Sequence, residues 1–363
     1  MKKRNVSLLL ALALTAGLTG CGPAGADGDK PWPSREITVD VAYTAGGTAD
    51  TANRQLAKLM GETLGTNIAV VNVTGGSGSI AGQQVNNAAH DGYTWLGDVA
   101  HTVSGWRCLG YADLGWEDFY GFYAATSPYV LFVAGNSPYE TYADLFEAIR
   151  ADPQMKWGNA GLGSINQLTG QLMLDTLGLT GNSVPYDGGR AAAVKVVAGE
   201  VAWSWCGASD ILDLAQSGDI RILGVCDGQS LKVESAKGGY EAPSLLEEFP
   251  ELSSLQDLLY WGFRVPRDTP AEAVTALEGA FRTAVESQEW KDFCASKSLT
   301  PAYVVGEESD EMCARLESIY TWGLYDLGMT AEGKSPESFE IPRIEDFVFP
   351  ANERAENAAP WPQ

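Results

Sequence analysis

The chain contains 363 residues, of which 47 are acidic and 24 are basic, so its formal net charge at pH 7 is −23. A chain of this length can form two domains, each with its own hydrophobic core. Its acidity argues against binding nucleic acid or anionic lipid through bulk charge. An anionic ligand would have to be attracted by local dipoles or by single residues.

The N-terminus has the pattern of a secretory signal peptide. Three basic residues follow Met1, and an apolar run too short to span a membrane covers residues 6–18. The run ends in Leu18-Thr19-Gly20-Cys21, which resembles a bacterial lipobox, where the cysteine becomes the lipidated first residue of the mature chain. We therefore predict a lipoprotein signal peptide at residues 1–21 and a Gly/Pro/Asp-rich tether at residues 22–33.

These segments predict a protein outside the cytoplasm, on the periplasmic or cell-surface side, held to the membrane by lipid only. No second long apolar run follows, so no membrane-spanning segment is predicted. Outside the cell there is no pool of ATP or NAD, which argues against functions that need either. The alternative interpretation is a cytoplasmic protein with an apolar N-terminus.

Beyond the tether, strand patterns alternate with helix patterns, which predicts an α/β fold with parallel, doubly wound sheets. A long helix is predicted to open at Thr269-Pro270, with Thr269 as its N-cap. Residues 330–363 are polar and rich in proline, so we expect an irregular C-terminal extension. The predicted strands are residues 36–42, 67–73, 93–96, 156–160, 184–186, 201–205 and 220–225, and the other predicted helices follow Gly47 and Gly78 and occupy residues 141–150, 164–177 and 189–198.

The cysteines leave two interpretations open. Apart from Cys21 there are five, with no CxxC motif and no close metal-ligand spacing. An exported protein permits disulfides, and the pairs Cys206–Cys226 and Cys294–Cys313 would be compatible with the sequence. Burial of all five as small apolar side chains is the other interpretation.

The sequence lacks the signatures of an enzyme. There are two histidines, and there is no GxSxG elbow, HExxH motif or Cys/His cluster. We therefore predict no catalytic residues, no metal and no cofactor. An exported hydrolase with a scattered Ser-His-Asp site remains as a less favoured alternative.

Three Gly-rich loops, each between a predicted strand and a helix, are the strongest candidates for a binding site. They lie at residues 43–50, 75–80 and 158–164. Glycines allow successive backbone N–H groups to converge, and the following helix adds its positive end, so such loops bind carboxylate or phosphate oxygens without a cationic side chain. Dinucleotide binding is a rival interpretation, since Gly76-x-Gly78-x-x-Ala81 is followed by Asp98, and tight turns without a ligand are another.

The same loops make the chain resemble the extracytoplasmic solute receptors of tripartite tricarboxylate transporters, the Bug family, from Trp32 to about Leu327. Seven motifs occur in the order found in that family, although none is decisive alone. They are Trp32-Pro33, Tyr43-x-x-Gly46-Gly47-x-x-Asp50, Val71-x-x-x-Gly75-Gly76-x-Gly78, Asp91-Gly92-Tyr93-Thr94, Gly158-x-Ala160-Gly161-x-Gly163-Ser164, Val184-Pro185-Tyr186-x-Gly188 and Trp261-x-x-x-x-x-x-x-Thr269-Pro270.

The resemblance implies a type II periplasmic-binding-protein fold, in which two α/β lobes joined by two hinge strands close on a ligand. It implies lobe 1 at residues 34–130 plus 262–329, lobe 2 at residues 131–261 and a C-terminal extension at residues 330–363. In relatives the ligand is usually a small carboxylate held by the first and third loops. The residues implied are Tyr43, Gly46, Gly47, Thr48 and Asp50 on one side and Gly161, Gly163, Ser164, Tyr186 and Asp187 on the other.

Some of these positions carry alternatives. Asp50 has a structural interpretation, because an acid near a helix N-terminus stabilises the helix and rigidifies the loop. Asp187 stands where many relatives have Lys or Arg and would repel a second carboxylate, with Arg190 available to compensate, unless it is a solvated rim residue. Gln167 replaces a frequent histidine. Trp203 and Trp205 could wall the cleft or belong to the core.

The expected function is that of a monomeric receptor that captures a small organic acid or related solute in the cleft and delivers it to the permease subunits of a tripartite tricarboxylate transporter. A sensor subunit that presents its ligand to a signalling receptor is the alternative outside transport. The sequence does not specify which solute is bound.

Overall fold

The computed structural model describes residues 31–256 and 259–362. The predicted signal peptide, the predicted lipidation site Cys21 and most of the predicted tether lie outside these residues.

The described residues form two main sheets, a small hairpin and flanking helices. The strands are β1 (Ile37–Val41), β2 (Ile68–Asn72), β3 (Thr94–Val99), β4 (Phe119–Thr126), β5 (Tyr129–Ala134), β6 (Lys156–Asn159), β7 (Asn182–Pro185), β8 (Trp203–Gly207), β9 (Ile220–Cys226), β10 (Leu231–Val233), β11 (Tyr240–Ala242), β12 (Tyr260–Pro266) and β13 (Thr300–Val304). The helices are α1 (Thr48–Leu64), α2 (Ser79–Asn86), α3 (Trp106–Leu109), α4 (Tyr142–Ala151), α5 (Ile165–Thr176), α6 (Gly189–Val197), α7 (Ala208–Ser217), α8 (Ala271–Glu286), α9 (Gln288–Ser296), α10 (Gly306–Asp326) and α11 (Glu353–Asn357).

Each main sheet defines one lobe. The sheet of lobe 1 has the order β13-β4-β12-β3-β1-β2, and that of lobe 2 has the order β7-β6-β8-β5-β9. The strands β1, β2 and β3 pair in parallel, as do β6, β7 and β8. The strands β4, β5, β9 and β12, which flank the crossings between lobes, pair antiparallel. Both sheets are therefore mixed, because the strands by which the chain enters each lobe after a crossing, β5 and β12, run opposite to the parallel strands of their sheet.

The chain crosses between the lobes twice. It passes from β4 to β5 through Ser127-Pro128 and returns between β9 and β12. The boundaries predicted at residues 130/131 and 261/262 fall inside β5 and β12, so Tyr129 pairs within lobe 2 and Tyr260 within lobe 1.

Helix α1 illustrates how the pattern of apolar residues sets the packing. Ala52, Leu56 and Met60 recur at helical spacing and are buried. The helix ends at Gly65, whose φ of 66° is readily adopted only by glycine. Helix α8 differs from its prediction: Thr269 is not its N-cap, since the cap position is Pro270 and no side chain caps it.

Tryptophan side chains fill the core of lobe 2. Trp203 and Trp205 are fully buried, which places them in the core rather than in a cleft wall. The Trp203 ring stacks on Trp157 with centroids 5.1 Å apart, and Trp205 stacks on Tyr129 at 5.4 Å. The five described cysteines are also buried, and no disulfide joins any two of them, so burial rather than disulfide pairing applies to them.

The C-terminal segment after α10 packs against lobe 1. It is mostly irregular, as predicted, but it is well anchored at its end. Trp361 packs edge-on against Tyr120 and Phe122, and Arg354 in α11 forms an ion pair with Glu117. The segment therefore covers part of the lobe 1 sheet.

Candidate functional site

The cleft between the lobes is formed where parallel strands end. The first loop follows β1 and the second follows β2, while the third follows β6 and α7 follows β8. The carboxyl ends of neighbouring parallel strands lie at the same sheet edge, where ligands bind in open α/β folds. The loops of the two lobes meet directly, for example where Ser77 Oγ donates to the Leu162 carbonyl oxygen at 2.7 Å.

A partly open cavity lies between the two lobes. It has a volume of about 40 Å³, which is room for roughly three water molecules. Even a small dicarboxylate therefore needs the lobes to move apart or has to extend beyond the cavity. The residues that line it are Tyr43, Thr44, Gly47, Thr48, Ala49, Val99, His101, Ala160, Ser164, Asn166, Gly188, Gly189, Arg190, Gly207, Asp210, Leu259 and Trp261.

An open groove adjoins the cavity, because Tyr43, Thr44 and Ala160 line both. The groove is bounded by the second Gly-rich loop, by Gly161 and by Tyr186 and Asp187. The cleft thus has two adjoining compartments, a small cavity and a larger groove, and both are partly open to solvent.

The structure brings together most of the predicted binding residues, but not all of them. Tyr43, Gly47, Thr48 and Ser164 line the cavity, and Gly161, Tyr186 and Asp187 line the groove. Gly46, Asp50 and Gly163 line neither compartment.

The backbone N–H groups of the predicted nests donate to side chains of the protein itself. In the first loop, Gly46 N donates to Asp50 Oδ2 at 2.9 Å and Thr48 N to Asp210 Oδ1 at 2.8 Å. In the third loop, Gly161 N donates to Asn159 Oδ1 at 3.0 Å and Gly163 N to Gln167 Oε1 at 2.6 Å. A solute carboxylate that used these amides would have to displace the protein's own acceptors.

Asp50 stabilises the first loop through several hydrogen bonds. Besides Gly46, it accepts hydrogen bonds from Arg54 Nε and Asn72 Nδ2, both at 2.9 Å. Burial raises the pKa of Asp50, but these hydrogen bonds outweigh it and hold the pKa below the ordinary value. The residue as a whole is 3% exposed. Its contacts are those of a residue that rigidifies the loop.

The hydroxyl groups of Tyr43 and Ser164 each form a hydrogen bond within their own lobe. Tyr43 Oη lies 3.0 Å from Thr102 Oγ1, and burial raises the pKa of Tyr43, so its phenol stays protonated. Ser164 caps α5 by accepting from Gln167 N at 3.2 Å. Its hydroxyl hydrogen remains available to donate.

Asp187 is exposed in the open groove, where solvent and salt weaken its field. Arg190 does not compensate it. Instead, the Arg190 guanidinium pairs with both carboxylate oxygens of Asp213, at 2.7 Å for Nη2 to Oδ2. The positions of both groups agree with the rim interpretation of Asp187.

The structure argues against the dinucleotide interpretation, because Asp98 is not accessible to a ligand. Asp98 is fully buried, and it accepts a hydrogen bond from Arg264 Nε at 2.8 Å. It is therefore not available to a ribose hydroxyl. Within residues 31–256 and 259–362, no cluster of three or more His, Cys, Asp or Glu residues could hold a metal, and no helix could span a membrane.

Sequence reasoning missed Asp210, Asn166 and His101 as lining residues of the cavity. A signal for Asp210 was present, since it lies in the first turn of a helix that directly follows strand β8. Because β8 pairs in parallel with β6, that helix starts at the same sheet edge as the third loop. Asn166 follows the third loop directly, but nothing in its local sequence marks it as a lining residue.

Comparison with known proteins decides the family. The profile of the TctC proteins, the tripartite tricarboxylate transporter family receptors, matches residues 52–314. The chain belongs to this receptor family. A curated relative, the UPF0065 protein in the TAR-I ttuE-ttuC' intergenic region of Agrobacterium vitis, is 28% identical over 289 residues, covering 77% of this chain and 79% of its own.

Solved structures confirm the periplasmic-binding-protein fold of the receptor. MatC from Rhodopseudomonas palustris with bound malate has a TM-score of 0.66 at 20% identity, covering 80% of this chain and 100% of its own. Another R. palustris protein, solved with adipate, has a TM-score of 0.70 at 24% identity, covering 83% and 99%. The receptor is thus a TctC-type, extracytoplasmic solute-binding protein and not an enzyme.

Proposed function

We propose that the receptor captures a small carboxylate-type solute in the cleft between its lobes and delivers it to the permease of a tripartite tricarboxylate transporter. The observation that carries this proposal is the cavity that residues of the first and third loops line together, one loop from each lobe. Relatives of the same fold are solved with malate and with adipate. Ser164 lines the cavity from lobe 2, and its hydroxyl can donate to a carboxylate oxygen, whereas the Thr48 hydroxyl from lobe 1 is already bonded to Asp210.

The proposed mechanism is hinged closure. The two crossings between the lobes, at Ser127-Pro128 and before β12, would flex, and the solute would add contacts between loops that belong to different lobes. The closed form would then dock on the permease. Lipidation at Cys21 would keep the receptor near its permease, and a mature anchor would need at least two acyl chains to be stable.

Thermal shift followed by calorimetry tests the binding step. The mature receptor would be titrated with acetate, malate, adipate and citrate. A solute present at 100 times its Kd should stabilise the receptor by about 2.7 kcal/mol. If neither method detects binding of any of these acids, the proposal of a carboxylate solute is wrong.

Delivery and anchoring need separate experiments. Vesicles containing the permease subunits should take up labelled solute only when the receptor is present, and uptake that is independent of the receptor would contradict the transport role. In cells, Cys21→Ser should release the protein from the membrane or leave its signal peptide uncut. Salt-resistant attachment of that variant would contradict lipid anchoring.

A further inference from the structure

Asp210 from lobe 2 occupies a position that an anion would favour in lobe 1. Its Oδ1 accepts hydrogen bonds from Thr48 N at 2.8 Å and Thr48 Oγ1 at 2.6 Å. Thr48 is the first residue of the 17-residue helix α1, whose N-terminus carries a partial positive charge. One carboxylate of the protein thus already holds the amide and hydroxyl that a solute's anionic group would seek.

Gly189, the first residue of α6, packs against the other carboxylate oxygen of Asp210. A Cβ atom at Gly189 would lie 2.6 Å from Asp210 Oδ2 and 3.0 Å from Cys206 Cβ, both too close. Glycine at this position therefore lets the start of α6 approach the carboxylate. Asp210 Oδ2 faces the side of the cleft where α6 begins.

The charge of Asp210 is not matched by a cation of its own. Arg190 also lines the cavity, but its guanidinium forms its ion pair with Asp213. The hydrogen-bond donors to the Asp210 carboxylate both come from Thr48 and are neutral. Burial raises the pKa of Asp210 despite Thr48 and Arg190, as expected of a carboxylate whose charge is only partly compensated.

The remaining walls suit a small cation. The aromatic side chains Tyr43 and Trp261 line the same cavity, and aromatic rings attract cations through their electron-rich faces. An ammonium group is about the size of a water molecule, so it fits a cavity with room for roughly three waters. A second carboxylate there would instead meet Asp210 at close range and be repelled.

We propose that Asp210 is a specificity-determining residue, and that it selects a solute carrying an ammonium group in addition to its carboxylate. This inference rests on the proposed function, because it assumes that carboxylates bind in this cleft. It goes beyond that function by naming the solute class as zwitterionic carboxylates and by assigning their cationic end to Asp210. The Asp210 carboxylate would repel the second carboxylate of a dicarboxylate and attract the ammonium group of a zwitterion, so one side chain would both favour one class of solute and disfavour the other.

Pairs of solutes with matched carbon chains test the inference by calorimetry. β-Alanine is compared with propionate and succinate, and 4-aminobutyrate with butyrate and glutarate. In the wild-type receptor, each ammonium compound should bind at least about tenfold more tightly than both of its partners. In Asp210→Asn, this advantage should fall below about threefold.

Two further measurements separate the possible failures. Asp175→Asn, an exposed acid in α5, is the matched control and should keep the full ammonium preference. The melting temperature of each variant shows whether it folds, and the comparison of solutes in the wild-type receptor stands even if Asp210→Asn does not fold. If monocarboxylates or dicarboxylates bind but the ammonium group gives no gain, or if Asp210→Asn keeps the gain, this inference is wrong. If no compound of either series binds while malate or adipate does, this inference alone is wrong; if none of these acids binds, the proposed function fails together with it.

Discussion

Replacing Asp50 with alanine should destabilise the receptor and loosen its first loop. Asp50 is 3% exposed, and its carboxylate accepts hydrogen bonds from Gly46 N, Asn72 Nδ2 and Arg54 Nε. Alanine removes the hydrogen bonds that the exposed Gly46 amide and the half-buried Asn72 side chain donate to a charged acceptor, each worth about 1.5–3 kcal/mol. The Arg54 side chain is 48% exposed and can turn to solvent, so its loss adds little. Because water can reach part of the loop, we expect a total of about 2–4 kcal/mol.

Differential scanning calorimetry provides the measurement. For roughly 330 folded residues the entropy of unfolding is about 0.7 kcal/mol/K, so Asp50→Ala should lower Tm by about 3–6 °C. The matched control, Arg54→Ala, removes only the exposed partner and should lower Tm by no more than about 1.5 °C. A Tm of Asp50→Ala within 1 °C of wild type, or an equal loss in the control, would refute the reasoning.

The pH dependence gives a second check on the same residue. The pKa of Asp50 in the folded protein lies below its ordinary value of 3.8, so its ionised form stabilises the fold. That stabilisation is fully present above about pH 5 and is lost as the pH falls through the folded pKa. The difference in Tm between wild type and Asp50→Ala should therefore be constant from pH 6 to 8 and decrease below pH 4.

Three other predictions follow from the described contacts. Burial, with repulsion from Glu117, raises the pKa of Glu317 to about 8, so wild-type Tm should fall from pH 6 to pH 9. Glu317→Gln should weaken this fall by at most about 3 kcal/mol in stability, and an unchanged slope would contradict the assignment. Gly47→Val should place methyl groups toward the cavity and weaken the binding of malate or adipate at least about tenfold, with little change in Tm. Gly47→Ala is the control and should bind these acids normally, because its Cβ atom would make ordinary contacts. Trp361→Ala should lower the free energy of unfolding by about 2–4 kcal/mol, measured by calorimetry, because it removes the ring packed on Tyr120 and Phe122. An unchanged free energy of unfolding would show that this packing contributes nothing to stability.

Much of the architecture could be predicted because its causes are local. The inward stripe of α1 and the glycine that ends it are readable from residue spacing and from the conformational freedom of Gly65. The capping box at Thr141 and Asp144 forms as its sequence indicates. The order of the glycine loops also indicated a family, and the family profile confirms it. The mixed pairing of the sheets was missed, since strand direction depends on which strands the chain crossings place side by side.

The sequence by itself determined that this chain is an α/β receptor with glycine-rich loops at the carboxyl ends of its strands, because each of those signals is set within a few neighbouring residues. Only the tertiary structure decided which acceptors those loops face. Thr48 and Asp210 are 162 positions apart and meet across the cleft, and the cation Arg190 pairs with Asp213 rather than with Asp187. Contacts between lobes depend on how two separately folded sheets approach each other, and no spacing pattern in a single sequence encodes that approach.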